Sequence, residues 1–411
     1  MSPALDKLMS CFSWEYFLNL LKRIDARSTF VVAALAFFAL NCAFFMEGQR
    51  AARVKQTDKL LNHDKKLGSW WLAKAYVDRK KCPEIVLLGS SQMGAFQFAD
   101  AQFFKRTVDY TGDRSADYLA YEFQKELGVK ADAFVAAMPG ALISDDYVIV
   151  RALCDKNQHP KLFILGISPR DLIDNNCPSV TGTEPFEYFS HAAHLDDCID
   201  LYCPKFWDKA NWFLKETAQL PDLRGSTDDL ASTAHQMFAP PQEAKAIRDI
   251  GQAPLFQKVD PGQMVLKPAE KPVFTDNTEE YAGRYKNPFP GGLNKQLVFL
   301  DKVMHYAKEN GIQFVLVGMP LTSQNQALLP DKFWNFYRRE IARIASENGA
   351  HWIDLSSYPA FQHDDYSDCV HLNGFGGIKL CQVLAHAVAQ CNDVVEALKV
   401  ESPNPVKISQ K

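Results

Sequence analysis

Two short stretches hold residues whose types and spacing could do chemistry. The first is Gly89-Ser90-Ser91-Gln92, directly after the apolar run EIVLL. The second is Asp368-Cys369-Val370-His371-Leu372-Asn373, just before the glycine-rich run GFGGIKL. A serine hydroxyl is a weak nucleophile until a base takes its proton, and a carboxylate three residues from a histidine can orient that base. Ser91, His371 and Asp368 would together catalyse acyl transfer through a serine ester. Each stretch also has a plainer reading. Ser90 and Ser91 would serve as caps of a following helix, and Asp368 and His371 as ordinary polar residues of a surface loop.

Position in the chain favours the chemical reading. Five continuous apolar runs, at 84–89, 133–138, 161–167, 313–319 and 351–355, have the character of strands covered on both faces. Helical patterns at 143–155, 293–310, 332–348 and 374–390 alternate with them, and two end in the stop signals KENG and SENGA. Alternation of this kind implies an α/β fold, a three-layer α/β/α sandwich on a parallel sheet, with ligands at the carboxyl ends of the strands. Ser91 follows the first run and His371 follows the fifth. The Ser91 N–H would then stand at a helix start, where a developing oxyanion is favoured.

These two stretches resemble blocks one and five of the SGNH (GDSL-type) hydrolases. The resemblance spans roughly 84–391 and implies a flavodoxin-like fold with Ser91 as nucleophile, His371 as base and Asp368 as its orienting acid. Met138-Pro139-Gly140-Ala141 fits block two, which implies Gly140 as an oxyanion-hole donor beside the Ser91 N–H; a simple strand-to-helix turn is the other reading of that glycine. Block three departs from the pattern: Gly166-Ile167-Ser168-Pro169-Arg170-Asp171 places Ser168 where an asparagine is usual. A hydroxyl has a shorter reach than an amide, so the third donor is the weakest part of the site. Arg170 could supply positive charge or hold an anionic substrate, or form a structural ion pair with Asp171 or Asp174.

Outside these blocks, 28–46 reads STFVVAALAFFALNCAFFM, without a charged residue. At about 1.5 Å per residue its length matches a hydrocarbon core of about 30 Å, as expected of a retained transmembrane anchor. Residues 1–27 have an amphipathic pattern suited to a membrane interface, and 47–82 a polar helical one suited to a stalk. Lys22, Arg23 and Arg27 precede the apolar segment, and Arg50, Arg53, Lys55 and Lys59 follow it. Charge therefore leans only slightly toward a cytoplasmic bulk domain. The resemblance is strongest to anchored cell-envelope members, among them the D-alanine transfer protein of teichoic-acid modification and alginate-acetylating SGNH proteins, and so implies an extracytoplasmic domain. It implies O-acyl transfer or ester hydrolysis on an envelope polysaccharide or glycolipid. The partners would be an acyl donor, a carbohydrate or lipid acceptor and a membrane-bound O-acyltransferase. A non-catalytic scaffold or carbohydrate-binding partner is the alternative.

The SGNH-like domain is read as 83–395, with a largely helical insertion at about 172–290 where proline-rich spans break the rhythm, and a disordered tail over 396–411. His191, His194, Cys198 and Cys203 have spacings at which zinc binding, disulfides that include Cys177, or unlinked side chains are open readings; no metal and no cofactor is expected. Hydrophobic residues make up 47% and charged residues 23% of the 411, a globular balance. A net charge of −4, without a basic stretch interleaved with aromatics, excludes a nucleic-acid partner.

Overall fold

The computed structural model describes residues 60–61, 67–154, 159–177, 179–190, much of 192–203, 209 and 262–400. The chain divides into two compact units, 60–193 with 254–411, and 1–59 with 194–253. The second lies almost wholly outside the described residues, and so do the expected anchor at 28–46 and the segment 1–27. Among the described residues no helix is long and apolar enough to cross a membrane.

The larger unit is built on five parallel strands: β1 (Ile85–Gly89), β3 (Ala133–Val135), β4 (Leu162–Ile167), β6 (Gln313–Gly318) and β7 (His351–Asp354). Their spatial order is β3-β1-β4-β6-β7. In order of appearance this is 2-1-3-4-5, a doubly wound arrangement whose switch point lies beside the first strand. All five sit where the apolar runs predict them. The second is shorter than its run of 133–138, yet pairing with β1 continues past its end, as the N–H groups of Ala136 and Met138 donate to the carbonyls of Leu87 and Gly89. Two short strands, β2 (Val108–Asp109) and β5 (Val265–Leu266), pair antiparallel away from the main sheet. They return the end of the interrupting segment to the loop that follows the first helix after Ser91.

Helices cover both faces because alternate strand residues point to opposite sides. On one face Ile85, Leu87, Val135, Leu162, Ile164, Val315 and Val317 share a core with α2 (Ala95–Phe104), α3 (Asp117–Leu127), α11 (Gly374–Val388) and α12 (Asn392–Lys399). On the other, Val86, Leu88, Phe163, Leu165, Phe314 and Leu316 are buried as well. There α4 (Ile143–Leu153), α8 (Leu293–Glu309) and α10 (Asp331–Asn348) pack on the sheet. Between these lie α1 (Gly68–Val77), α5 (Pro169–Ile173), α6 (Glu184–Phe189), α7 (Thr278–Arg284) and α9 (Ser323–Gln326).

The domain exceeds the 83–395 range read from sequence at both ends. Leu72 and Ala73 of α1 are buried, and the Ser69 N–H donates to the Glu184 carboxylate at 2.7 Å, so part of the presumed stalk belongs to the fold. At the other end Val394 and Leu398 give α12 a buried face. Both helices are short and bury few of their residues, Ser69, Leu72 and Ala73 in α1 and Val394 and Leu398 in α12, which hides their packing from a reading of composition.

The glycine-rich start of α11 answers a packing need. A side chain at Gly377 would drive into the backbone carbonyl of Ala95, where α11 crosses α2. Gly377→Ala should therefore lower stability by about 1–3 kcal/mol, a cost typical of overpacking. Gly283→Ala, on α7 with open space around the added methyl, should leave the melting temperature unchanged or raise it. Thermal unfolding of both variants checks the contrast, and equal melting temperatures would contradict the packing described.

Candidate active site

Ser91 stands where β1 turns out of the sheet. Gly89 closes the strand at φ +127°, a conformation side chains rarely adopt, and an added side chain there would also press on the Gly166 carbonyl of β4. Ser90 is extended, and Ser91 opens a 3-10 turn (Ser91–Gly94) that runs into α2. As the first residue of that turn, Ser91 has a backbone N–H without an acceptor inside the turn. From behind, the Gly89 N–H donates to Asp146 Oδ1 at 2.8 Å, and Asp146 is fully buried on α4.

The second half of the site is a loop folded around one carboxylate. Asp368 Oδ1 accepts from the N–H groups of Val370 and His371, each at 2.8 Å. Its Oδ2 lies 2.7 Å from His371 Nδ1. One oxygen thus shapes the turn while the other holds the ring. With Nδ1 donating to the carboxylate, Nε2 keeps its lone pair, and it lies 2.7 Å from Ser91 Oγ. Burial disfavours the Asp368 charge, but its bonds to the His371 ring and to the two N–H groups outweigh this and hold the carboxyl below its ordinary range. The structure therefore brings Ser91, His371 and Asp368 into one hydrogen-bonded line.

Several supports of this line have no distinctive sequence signal. The Gln92 side chain donates to the Val370 carbonyl at 3.1 Å and ties the serine turn directly to the histidine loop. Thr322 Oγ1 donates to the Cys369 carbonyl at 2.8 Å, and Asn277 Oδ1 accepts from the Cys369 N–H at 3.1 Å. The Thr275 N–H donates to the Ser367 carbonyl. Asn373 caps α11 by accepting from the N–H groups of Phe375 and Gly376. Gln92 and Asn373 lie inside the two motifs, where inspection could have found them; Thr275, Asn277 and Thr322 do not.

The remaining expected site residues do not all face the serine. Gly140 does lie on a loop beside it, because the Met138 N–H bonds the Gly89 carbonyl, and it has φ +79°. Ser168 is buried, and both its N–H and its hydroxyl are bonded to Asp171 Oδ2, at 2.8 and 3.0 Å. It caps α5, so its hydroxyl donor is already committed. Arg170 pairs with Asp174 at 2.9 Å and stands 3.5 Å from Asp171, and also donates to the carbonyls of Gly140 and Ala141. Of the roles open to it from sequence, the geometry is that of the structural ion pair. Cys177 forms no disulfide; its thiol meets the Ser179 carbonyl. His191 and His194 lie outside the described residues.

No family model matches the chain, and no curated protein matches it. Solved structures offer distant likenesses. One is LAE5, an alpha/beta hydrolase enzyme from the metagenome of Lake Arreo, Spain, at 11% identity and TM-score 0.30, covering 79% of this chain and 100% of that one. Another is a carbohydrate esterase family 2 enzyme with a carbohydrate binding domain from Corynascus thermopiles (Myceliophthora fergusii), at 11% identity and TM-score 0.31, covering 76% and 67%. A third is BT4096, a gut microbial diltiazem-metabolizing enzyme, at 9% identity and TM-score 0.29, covering 75% and 48%. Likenesses of this size carry nothing about activity.

The carboxyls behind the serine give the site a pH signature. Burial pushes Asp145 up to about 7 and lifts Asp146 well above its ordinary range, where the nearby Asp171 and Asp145 add to the effect. Groups raised on folding contribute stability that is fully present below their unfolded value of about 4 and lost as pH rises through the folded one. Asp368, lowered on folding, acts in the opposite sense, losing its contribution only as pH falls below about 4. The melting temperature should thus be higher near pH 5 than near pH 8, and Asp146→Asn, which keeps an acceptor for the Gly89 N–H, should flatten that slope. A melting temperature that rises from pH 5 to pH 8 would contradict the burial of these groups.

Proposed function

We propose that this chain is a serine-dependent acyl hydrolase or acyltransferase of SGNH type, and that Ser91 carries the acyl group. The observation that supports this most strongly is the line Ser91 Oγ to His371 Nε2 and His371 Nδ1 to Asp368 Oδ2, with both contacts at 2.7 Å. In the reaction, Ser91 Oγ attacks an ester carbonyl as Nε2 takes its proton, and Asp368 stabilises the imidazolium so formed. The tetrahedral oxyanion faces the N–H groups of Ser91 and Gly140. Collapse passes the proton from Nε2 to the departing alkoxide and leaves an acyl-serine. Water or a sugar hydroxyl, deprotonated by the same nitrogen, then attacks the acyl-serine carbonyl, and Nε2 returns that proton to the departing Ser91 oxygen.

The substrate we propose is an O-acyl group on a cell-envelope polysaccharide or glycolipid, with the domain held outside the cytoplasm by an anchor at 28–46. The uncharged 28–46 stretch and the resemblance of the two motifs support that reading. A membrane-bound O-acyltransferase would be the natural source of acyl groups for transfer. The competing reading, a scaffold that binds carbohydrate without chemistry, draws on Ser168, whose hydroxyl is bonded to Asp171 and leaves the oxyanion without a side-chain donor from that loop.

Labelling with a fluorophosphonate probe separates the two readings. Wild-type protein should form a covalent adduct, Ser91→Ala none, and Asp368→Asn should label about 10³–10⁴ times more slowly, as expected when the histidine loses its orienting carboxylate. A folded wild-type protein that binds envelope polysaccharide but never labels would favour the scaffold. Fusing a reporter enzyme to the C-terminus tests the proposed location: activity of a reporter that works only in the cytoplasm would rule out the envelope role.

A further inference from the structure

The loop that carries Gly140 is fixed peptide by peptide, with one exception. The Ala137 carbonyl accepts from Arg114 Nη1 at 3.0 Å, and the Met138 N–H of the same peptide bonds the Gly89 carbonyl at 3.1 Å. The Met138 carbonyl accepts from the Ala141 N–H at 3.1 Å. The Gly140 carbonyl accepts from Arg170 Nη2 at 2.9 Å, and the Ala141 carbonyl from Arg170 Nη1 at 2.5 Å. The Leu142 N–H donates to Asp145 Oδ2 at 2.7 Å. Within the loop 137–142, the Pro139–Gly140 peptide alone has neither end bonded, and it is the peptide that bears the Gly140 N–H. Pro139 is exposed and Gly140 half-buried, so this unbonded peptide lies at the surface of the loop while its neighbours are tied down.

Two buried guanidiniums do this work. Arg170 spans two consecutive carbonyls as a fork, a geometry that a planar guanidinium offers and an ammonium does not. It is itself anchored by Asp174, which Arg284 of α7 also contacts at 2.6 Å. Arg114, also buried, has its Nε on the Thr111 carbonyl at 3.0 Å.

We infer that Arg170 is a positioning residue for acyl transfer, holding the Gly140 loop so that its one unbonded N–H is presented to the oxyanion. This rests on the proposed function and deepens it. With the Ser168 hydroxyl spent on Asp171, the oxyanion depends on backbone donors, and their direction matters more than it would with a third donor present. Removing one oxyanion-hole donor costs about 10²–10³ in rate, and misdirecting one costs part of that.

The test uses the full chain and Arg170→Met, followed by fluorophosphonate labelling at varied probe concentration and by hydrogen exchange of the peptide containing residues 138–142. The expected result is a maximal labelling rate lower by roughly tenfold to a hundredfold. The half-saturating probe concentration and the pH midpoint should stay unchanged, with faster exchange at 138–142. A purely structural role would reduce the labelled fraction and the melting temperature but leave the rate of the folded fraction alone, and that outcome overturns the inference. If Arg170→Met does not fold, Arg170→Lys keeps the charge between Asp171 and Asp174, removes the fork, and should give the same pattern. If wild-type protein never labels, the acyl-transfer reading fails and exchange alone decides: unchanged exchange at 138–142 then overturns the pinning itself.

Discussion

The hydrogen bond from Ser91 to His371 joins residues 280 positions apart, and most of the architecture serves to make it at 2.7 Å. Neither residue can be adjusted alone. Ser91 is fixed by the way β1 leaves the sheet at Gly89, and His371 by a loop wound on the Asp368 carboxylate. Gln92 spans the remaining gap by bonding the Val370 carbonyl, so the two halves are held together next to the Ser91–His371 contact as well as through the core. The close crossing of α11 on α2, permitted by Gly377, brings the helices that follow each half into contact.

Charge is distributed around this bond by burial. On the solvent side, Asp368 keeps its charge because the His371 ring and two N–H groups are bonded to it. Behind the serine, Asp145, Asp146 and Asp171 are buried and all shifted toward the neutral form. Asp146 accepts the Gly89 N–H from that buried side, so the strand end behind Ser91 is held by a carboxyl whose charge burial disfavours. Burial and hydrogen bonding thus act in opposite senses on the two sides of the serine, lowering Asp368 and raising the carboxyls behind it.

The five central strands could be read from sequence because strands buried on both faces appear as unbroken apolar runs. Ser91 could be singled out because it lies just past the first run, and Asp368 and His371 because their motif stands just before the glycine-rich start of the last long helical pattern. What escaped reading depends on side chains meeting across loops. Nothing in the sequence says that the Ser168 hydroxyl turns back to Asp171, or that Arg170 reaches both Gly140 and Ala141 while paired to Asp174. The strands β2 and β5, two residues each, carry no periodicity to detect. That α1, read as part of a helical stalk, and α12 pack onto the domain escaped because each buries only a few residues.

The most direct test of the acyl-serine is to find it. Mass spectrometry after brief, acid-quenched reaction with a p-nitrophenyl ester reads the acylated residue in the wild-type protein and in His371→Ala. An acyl group on Ser91 in the wild type, formed far more slowly in His371→Ala, is the predicted result. Acylation at another residue, or at Ser91 with equal speed in both proteins, would contradict the account.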